Sequence, residues 1–484
     1  MGPMTLAEVA DAVRGRLDEA DPSAPATGLT IDSRSAGPGQ LFAALPGERV
    51  DGHNFAAGAV ANGAVAVLAT RPVGVPAVLV DDVQTAMADL AREALRRLPD
   101  IRVVALTGSA GKTSTKDLIA QVLAIAGPTV APPGSFNNDL GVPLTVLQCD
   151  ADTRFLVLEM GARGLGHIAR LCRIAPPAVG VVLNVGSAHL GEFGSREAIA
   201  WAKGEIIEAT CEVAVLNADD ALVSAMRSRT ADGVEVRAFG ESSGADVRAD
   251  GIDLDDLGRP FFDLSADGTT APVRLQTYGE HQVPNALAAA TVGLACGLDL
   301  LAVADALSAA APRSHWRMEV TKRADGLTVI NDAYNANPES MRAALKALVA
   351  IARGRRSWAV LGQMAELGPD ARAEHEAIGR LAVRLGVDRL VVVGNEAAAM
   401  HAGAVLEGSW SNESIHVADV EEAVRVLQAE AAPDDVVLVK GSRVAGLERV
   451  AEAVLGPGAP PTGADRQAAG PAGPMDTAST AGTE

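Results

Sequence analysis

Val103-Val104-Ala105-Leu106-Thr107-Gly108-Ser109-Ala110-Gly111-Lys112-Thr113-Ser114-Thr115 joins an apolar run to a glycine turn that ends in Gly-Lys-Thr. The apolar residues read as a buried strand, and Leu118, Ile119, Val122 and Leu123 after the turn share one face of a helix. A Gly-Lys-Thr run can close an ordinary loop, but between a strand and a helix it reads as a nucleoside-triphosphate site. Residues Thr107, Gly108, Ser109, Ala110 and Gly111 supply backbone N–H groups to phosphate, and the helix presents its positive end. Lys112 reaches the terminal phosphates, and the Thr113 hydroxyl holds Mg²⁺. The turn is shorter than the usual G-x-x-x-x-G-K-[ST], whose first glycine would fall at Leu106.

Outward from this loop, strand and helix patterns alternate from Ile101 to about Ala311, which argues an α/β fold with a parallel sheet. The segment Phe239 to Leu275 has period-two stretches and reads as an antiparallel extension. A second α/β series begins near Met318, and residues 1–98 form a small α/β unit of short strands and a helix over Thr85 to Leu98. The expected organisation is four segments: 1–98, 99–312, 313–456 and a disordered tail, 457–484, rich in Gly, Ala, Pro, Ser and Thr. A chain of 484 residues with 48% hydrophobic side chains has enough material for several cores.

The 41 basic and 61 acidic residues give a net charge of −20, which disfavours nucleic acid or an anionic membrane as partner. No long apolar run or signal profile is present, so a soluble cytoplasmic protein without stable membrane insertion is expected. A monomer is the expected state. Cys149, Cys172, Cys211 and Cys296 are scattered, with no C-x-x-C pair, and read as reduced buried thiols rather than a zinc site or disulfide framework.

Several polar groups fall at strand exits, the edge at which α/β sheets bind ligands. Phe155-Leu156-Val157-Leu158 ends in Glu159, either a Mg²⁺ ligand or a solvent-facing carboxylate. Val179 to Val185 leads to His189, whose interest depends on its distance from Glu159. Lys203, in a helical pattern, reads alone as a surface lysine. Asp332 and Tyr334 follow a strand, before Asn337 as a helix cap and Pro338 in a first turn. Lys440 and Arg443 flank a Gly-Ser turn that is either an anion site or an exposed basic turn. Ile31-Asp32-Ser33-Arg34 and Asn137-Asn138-Asp139 are polar clusters typical of turns.

Taken together these segments resemble the ATP-dependent Mur ligases, in matching order over roughly residues 25 to 450. The resemblance rests on Thr107 to Thr113, Asn137-Asn138-Asp139-x-Gly141-x-Pro143, Glu159-Met160-Gly161, His189, Ala202-Lys203-Gly204-Glu205 and Asp332 to Pro338. It implies three domains: an N-terminal module for a UDP-sugar, a central ATPase and a C-terminal Rossmann-like domain. The segment Asp332 to Pro338 resembles the members that add D-alanyl-D-alanine to UDP-N-acetylmuramoyl-tripeptide, and the Asp-Asn-Pro-Arg signature of the diaminopimelate-adding members is absent. The implied cofactors are ATP and Mg²⁺, with Thr113, Glu159, His189 and a carbamate formed on Lys203 as metal ligands, and with Lys112, Lys203 and His189 as the catalytic set. By the same resemblance Asn285 lies on the adenine side and Asp332 on the ribose. Asp32, Ser33 and Arg34 would meet uridine, and Asn137, Asn138, Tyr334, Asn335 and Asn337 lie on the substrate side.

Gln363 stands where the family usually has an acidic residue, which puts any charge-dependent role there in doubt. The alternatives are another ligase of the superfamily, such as a folylpolyglutamate synthase, or a non-catalytic subunit of an amidotransferase. The latter tend to carry a four-cysteine zinc insertion, which the dispersed cysteines do not supply.

Overall fold

The computed structural model describes residues 1–47, 50–186, 190–409 and 413–456. His189 and the tail from residue 457 therefore lie outside the described residues. The chain folds as three α/β domains, each built on its own sheet.

The central sheet has nine strands. Its middle is parallel because the inner residues of its strands are continuously apolar and must be covered on both faces. Arg102–Thr107 lies between Phe155–Glu159 and Val179–Val182, with Glu159 opposite Leu106 and Val182 opposite Thr107. Side chains alternate across the sheet. Val104, Leu106, Val157 and Val181 pack under the helices Lys112–Ala124 and Gln282–Ala295, while Val103, Ala105, Leu156, Leu158 and Val182 face the other core. This register brings the exits of three neighbouring strands to one edge: the loop at 108–111, Glu159 and Asn184. Strands Val247–Leu254, Pro260–Ala266 and Thr269–Arg274 continue the sheet as an antiparallel meander, as their period-two pattern predicts.

The N-terminal sheet orders its five strands as Arg16–Asp18, Ala77–Leu79, Ala66–Ala69, Gln40–Ala43 and Gly28–Thr30, the first antiparallel to its neighbour. Helix Val83–Arg96 carries this domain onto the central one, with Met87 and Leu90 in the same core as Leu171 and Cys172. The C-terminal sheet places Thr328–Asn331 beside Val436–Lys440 and then Ser357–Leu361, all parallel. Glu319–Lys322 adds an antiparallel edge strand that the alternating pattern did not reveal. The loops after those three parallel strands point at the phosphate loop.

The thiols depart in part from expectation. Cys149 and Cys172 are buried, but Cys211 is exposed and Cys296 only partly covered, because each sits where its helix has ended. Among the described residues no helix is long and apolar enough to cross a membrane.

Candidate active site

The phosphate loop is held open by glycine geometry. Gly111 adopts φ 81°, and a Cβ there would lie 2.4 Å from Oδ1 of Asn285. The residue must therefore be glycine both for its backbone and for its neighbour. Helix Lys112–Ala124 starts immediately afterwards, and among the described residues no side chain caps its first-turn N–H groups.

The Ser109 and Ala110 amides are engaged by a side chain. Both donate to Oδ1 of Asn184, at 3.0 and 2.9 Å, and Nδ2 of Asn184 donates back to the Ala110 carbonyl at 3.1 Å. Donors for an anion thus remain at the helix start rather than along the whole turn. Asn184 was not singled out as a functional residue in the sequence, although its position at a strand exit beside the phosphate-loop strand was readable.

Glu159 is 1% exposed, yet both of its oxygens are hydrogen-bonded. Oε2 accepts from the Thr113 hydroxyl at 2.9 Å, and Oε1 accepts from Asn137 Nδ2 at 2.7 Å and from the Ser135 hydroxyl at 2.9 Å. The reading of Glu159 as a solvent-facing carboxylate therefore fails. Lys112 Nζ donates to the Gly108 carbonyl at 2.8 Å. Burial holds its ammonium below the usual lysine range; Arg317 pushes the same way, and Glu159 opposes them.

Lys203 is 4% exposed in helix Arg196–Glu208, not a surface lysine. Burial and then the neighbouring Lys112 charge hold it well below the usual lysine range. Lys203 lines the same cavity as Lys112, Thr113 and Glu159.

That cavity is about 480 Å³ and lies between the central and C-terminal domains. Asn138, Tyr334, Asn335, Asn337 and Arg443 also line it. Asn138 caps a local turn, its Oδ1 accepting from the Gly141 amide at 2.9 Å. Asn337 does cap helix Pro338–Ala352, and its Nδ2 reaches the Ser109 carbonyl at 3.3 Å, tying the C-terminal domain to the loop.

Arg317 is a cation that the sequence reading missed. Its Nη2 donates to the Thr113 hydroxyl at 3.2 Å, and its guanidinium lies 4.1 Å from the Tyr334 ring centroid. It comes from the linker between domains, where no periodic pattern could mark it.

Most other candidates sit outside this cavity. Asp332 accepts from Lys440 Nζ at 2.6 Å, an ion pair buried beneath the C-terminal loops. Lys440 is thus neither an exposed basic residue nor a free anion site, whereas Arg443 pairs with Glu448 at 2.5 Å at the cavity rim. Asn285 supports the loop from behind, accepting from the Thr115 hydroxyl at 3.1 Å. Asp32, Ser33 and Arg34 form an exposed turn of the N-terminal domain, in which Arg34 chelates the Asp32 carboxylate and pulls it down to about 2. Gln363 contributes its backbone carbonyl, which accepts from the Ser442 amide at 2.9 Å.

The geometry has counterparts among known proteins. Residues 25–113 match the Mur ligase family catalytic domain, 106–293 the Mur ligase middle domain, and 316–443 the Mur ligase glutamate ligase domain. A UDP-N-acetylmuramoyl-tripeptide--D-alanyl-D-alanine ligase of Mycobacterium bovis is 52% identical, over 93% of this chain and 98% of that protein. The crystal structure of MurF from Acinetobacter baumannii superposes with a TM-score of 0.85 at 33% identity, covering 94% of this chain and 99% of that one. MurF of Thermotoga maritima, solved in complex with ADP, superposes at 0.75 with 32% identity, covering 88% and 97%. Domain by domain and along nearly its whole length, this chain belongs to the Mur ligase family.

Proposed function

We propose that the chain is an ATP-dependent ligase that joins the terminal carboxylate of UDP-N-acetylmuramoyl-tripeptide to the amine of D-alanyl-D-alanine, a step in building peptidoglycan precursors. The observation that carries this reading is the shared cavity: the phosphate-loop groups Lys112 and Thr113 line one cleft together with Tyr334, Asn335 and Asn337 of another domain. A carboxylate is a poor electrophile, so it first takes the γ-phosphoryl group of ATP and becomes an acyl phosphate. The amine then attacks the carbonyl carbon and phosphate leaves.

Each group has a task. The free helix-start amides and Lys112 hold the phosphates, and Arg317 adds a second cation where negative charge develops. The hydroxyl of Thr113, the carboxylate of Glu159 and a carbamate on Lys203 make an all-oxygen donor set that suits Mg²⁺, which when bound supplies neutralisation of phosphate charge. Lys203, buried with no hydrogen-bond partner among the described residues, is read as the lysine that takes up CO₂, and His189 remains a proposed ligand outside the described residues. Closing the C-terminal loops over the site keeps water from the acyl phosphate.

The reading keeps the domain limits 1–98, 99–312 and 313–456, with Asp32, Ser33 and Arg34 on the uridine side. Asn285 and Asp332 are kept toward the adenosine, and Asn137 and Asn138 toward the peptide. One chain supplies every group, so a cytoplasmic monomer suffices. The test is acceptor choice: phosphate release with UDP-N-acetylmuramoyl-tripeptide, ATP and Mg²⁺ is expected with D-alanyl-D-alanine. Turnover with L-glutamate or diaminopimelate instead would overturn the assignment.

A further inference from the structure

The linker between the second and third domains is laddered onto the phosphate-loop helix. Thr113, Asp117 and Gln121 are spaced by four and so share one helix face. Ala311, Ser314 and Arg317 of the linker, spaced by three, meet them in reverse order. Gln121 grips the backbone of Ala311 with both ends of its amide: Nε2 donates to the carbonyl and Oε1 accepts the N–H, each at 3.1 Å. Oδ2 of Asp117 accepts from the Ser314 hydroxyl at 2.5 Å. Oδ1 of Asp117 is paired with Lys116 at 2.7 Å, and Lys116 is itself anchored on the Pro132 and Gly134 carbonyls. The last rung is Arg317 on Thr113.

The backbone beside that rung is strained. Trp316 and Met318 adopt φ 57° and 51°, a left-handed conformation that side chains disfavour, on either side of Arg317. Arg317 Nε and Trp316 Nε1 are buried without partners among the described residues. A strained, partly unsatisfied segment holds its shape only when its surroundings impose it. The rungs at Asp117 and Gln121 fix the linker before it reaches Arg317, and from the other side the Glu319 carboxylate accepts from the Trp316 amide at 3.1 Å and the Asp332 carboxylate from the Met318 amide at 3.1 Å.

We propose that Asp117 and Gln121 are positioning residues, which lay the interdomain linker along the phosphate-loop helix so that Arg317 is presented to the transferring phosphoryl group. The ladder also explains how the position of the C-terminal domain is conveyed to the phosphate site, because Arg317 is stacked on Tyr334 of that domain. Neither residue lines the cavity.

This inference rests on the nucleotide site proposed above, and the experiment separates the two. Asp117→Ala, Gln121→Ala, Arg317→Ala and Lys112→Ala are made in the full chain, with kcat, KM, ADP affinity and amide hydrogen exchange of residues 311–318 measured for each. The two ladder variants are expected to lower kcat roughly 10- to 100-fold, the cost of a small misplacement. Their ADP affinity should stay within about threefold of the parent, since they leave the phosphate loop intact. Exchange in 311–318 should quicken, and Asp117→Asn, which retains an acceptor for Ser314, should recover most of the rate.

Adding Gln121→Ala to Arg317→Ala should cost less than about twofold further, because the ladder acts through Arg317. Unchanged exchange, an unaffected kcat, or an ADP affinity that falls as far as kcat would overturn the proposal. If Lys112→Ala and Arg317→Ala are themselves fully active, the nucleotide site has been misread; if they are inactive while the ladder variants are normal, only the ladder fails.

Discussion

Asn184 shows how one side chain divides the labour of a phosphate loop. An asparagine presents an acceptor to two N–H groups and a donor to a carbonyl, and no aspartate can do both. Asn184→Ala removes three hydrogen bonds worth about 1 kcal/mol each, and part of that loss falls on the loop's shape. ATP affinity is expected to drop roughly tenfold, which corresponds to about 1.4 kcal/mol, and calorimetric titration with ADP checks it. Unchanged affinity would mean the loop needs no such support. Gly111→Ala should be harsher, since the new Cβ meets Asn285 and the backbone is left-handed. The cysteines offer a simpler check. Burial pushes the Cys149 and Cys172 thiols up to about 12 and Cys296 to about 11, so exposed Cys211 should be alkylated first by iodoacetamide in the native protein. Peptide mapping that finds Cys149 modified as quickly would contradict the packing described.

Among the elements, helix Pro338–Ala352 joins fold and site most directly. Asn337 and Ser340 form a reciprocal cap, and the Asn337 side chain also reaches the phosphate loop. Asn337→Ala should cost about 1 kcal/mol of stability as a lost cap, and lower activity beyond that cost. A thermal melt paired with kinetics separates the two effects, and a loss of stability alone would limit Asn337 to capping. This cap was legible in the sequence because Asn-Pro before an apolar helical face has a local cause. The parallel strands were legible for a similar reason: Phe155–Glu159, Ser357–Leu361 and Arg389–Val393 are each a run of four apolar residues with one polar or charged residue at an end. Arg317 and the Asp332–Lys440 pair were not readable in the same way. Their partners are 204 and 108 residues away, and which strand exits meet is set by sheet order, which no local pattern encodes. Lys203 reads as a surface lysine until the helix that carries it is seen to turn that face inward.

The central and C-terminal domains meet around charge, and that makes the molecule sensitive to acid. His281, at the start of helix Gln282–Ala295 in the central domain, faces Asp332 and Lys440 of the C-terminal domain. Burial pulls its imidazole down to about 4; Asp332 pulls the other way, and Lys440 adds to the fall. The unfolded chain takes up that proton near 6.5, the folded protein only near 4, so unfolding gains a proton between these values. Stability is therefore expected to be lost as pH falls from about 6.5 to about 4, and His281→Gln should flatten that part of the melting-temperature profile. Identical slopes for parent and variant would place the acid sensitivity elsewhere. The central claim, that the cavity activates a peptide carboxylate by phosphorylation, is tested most directly by isotope transfer. UDP-N-acetylmuramoyl-tripeptide carrying ¹⁸O in its terminal carboxylate is turned over with ATP, Mg²⁺ and D-alanyl-D-alanine, and the released phosphate is analysed by mass spectrometry. An acyl phosphate predicts one ¹⁸O in each phosphate from fully labelled carboxylate; phosphate that carries none, alongside the amide product, would contradict it.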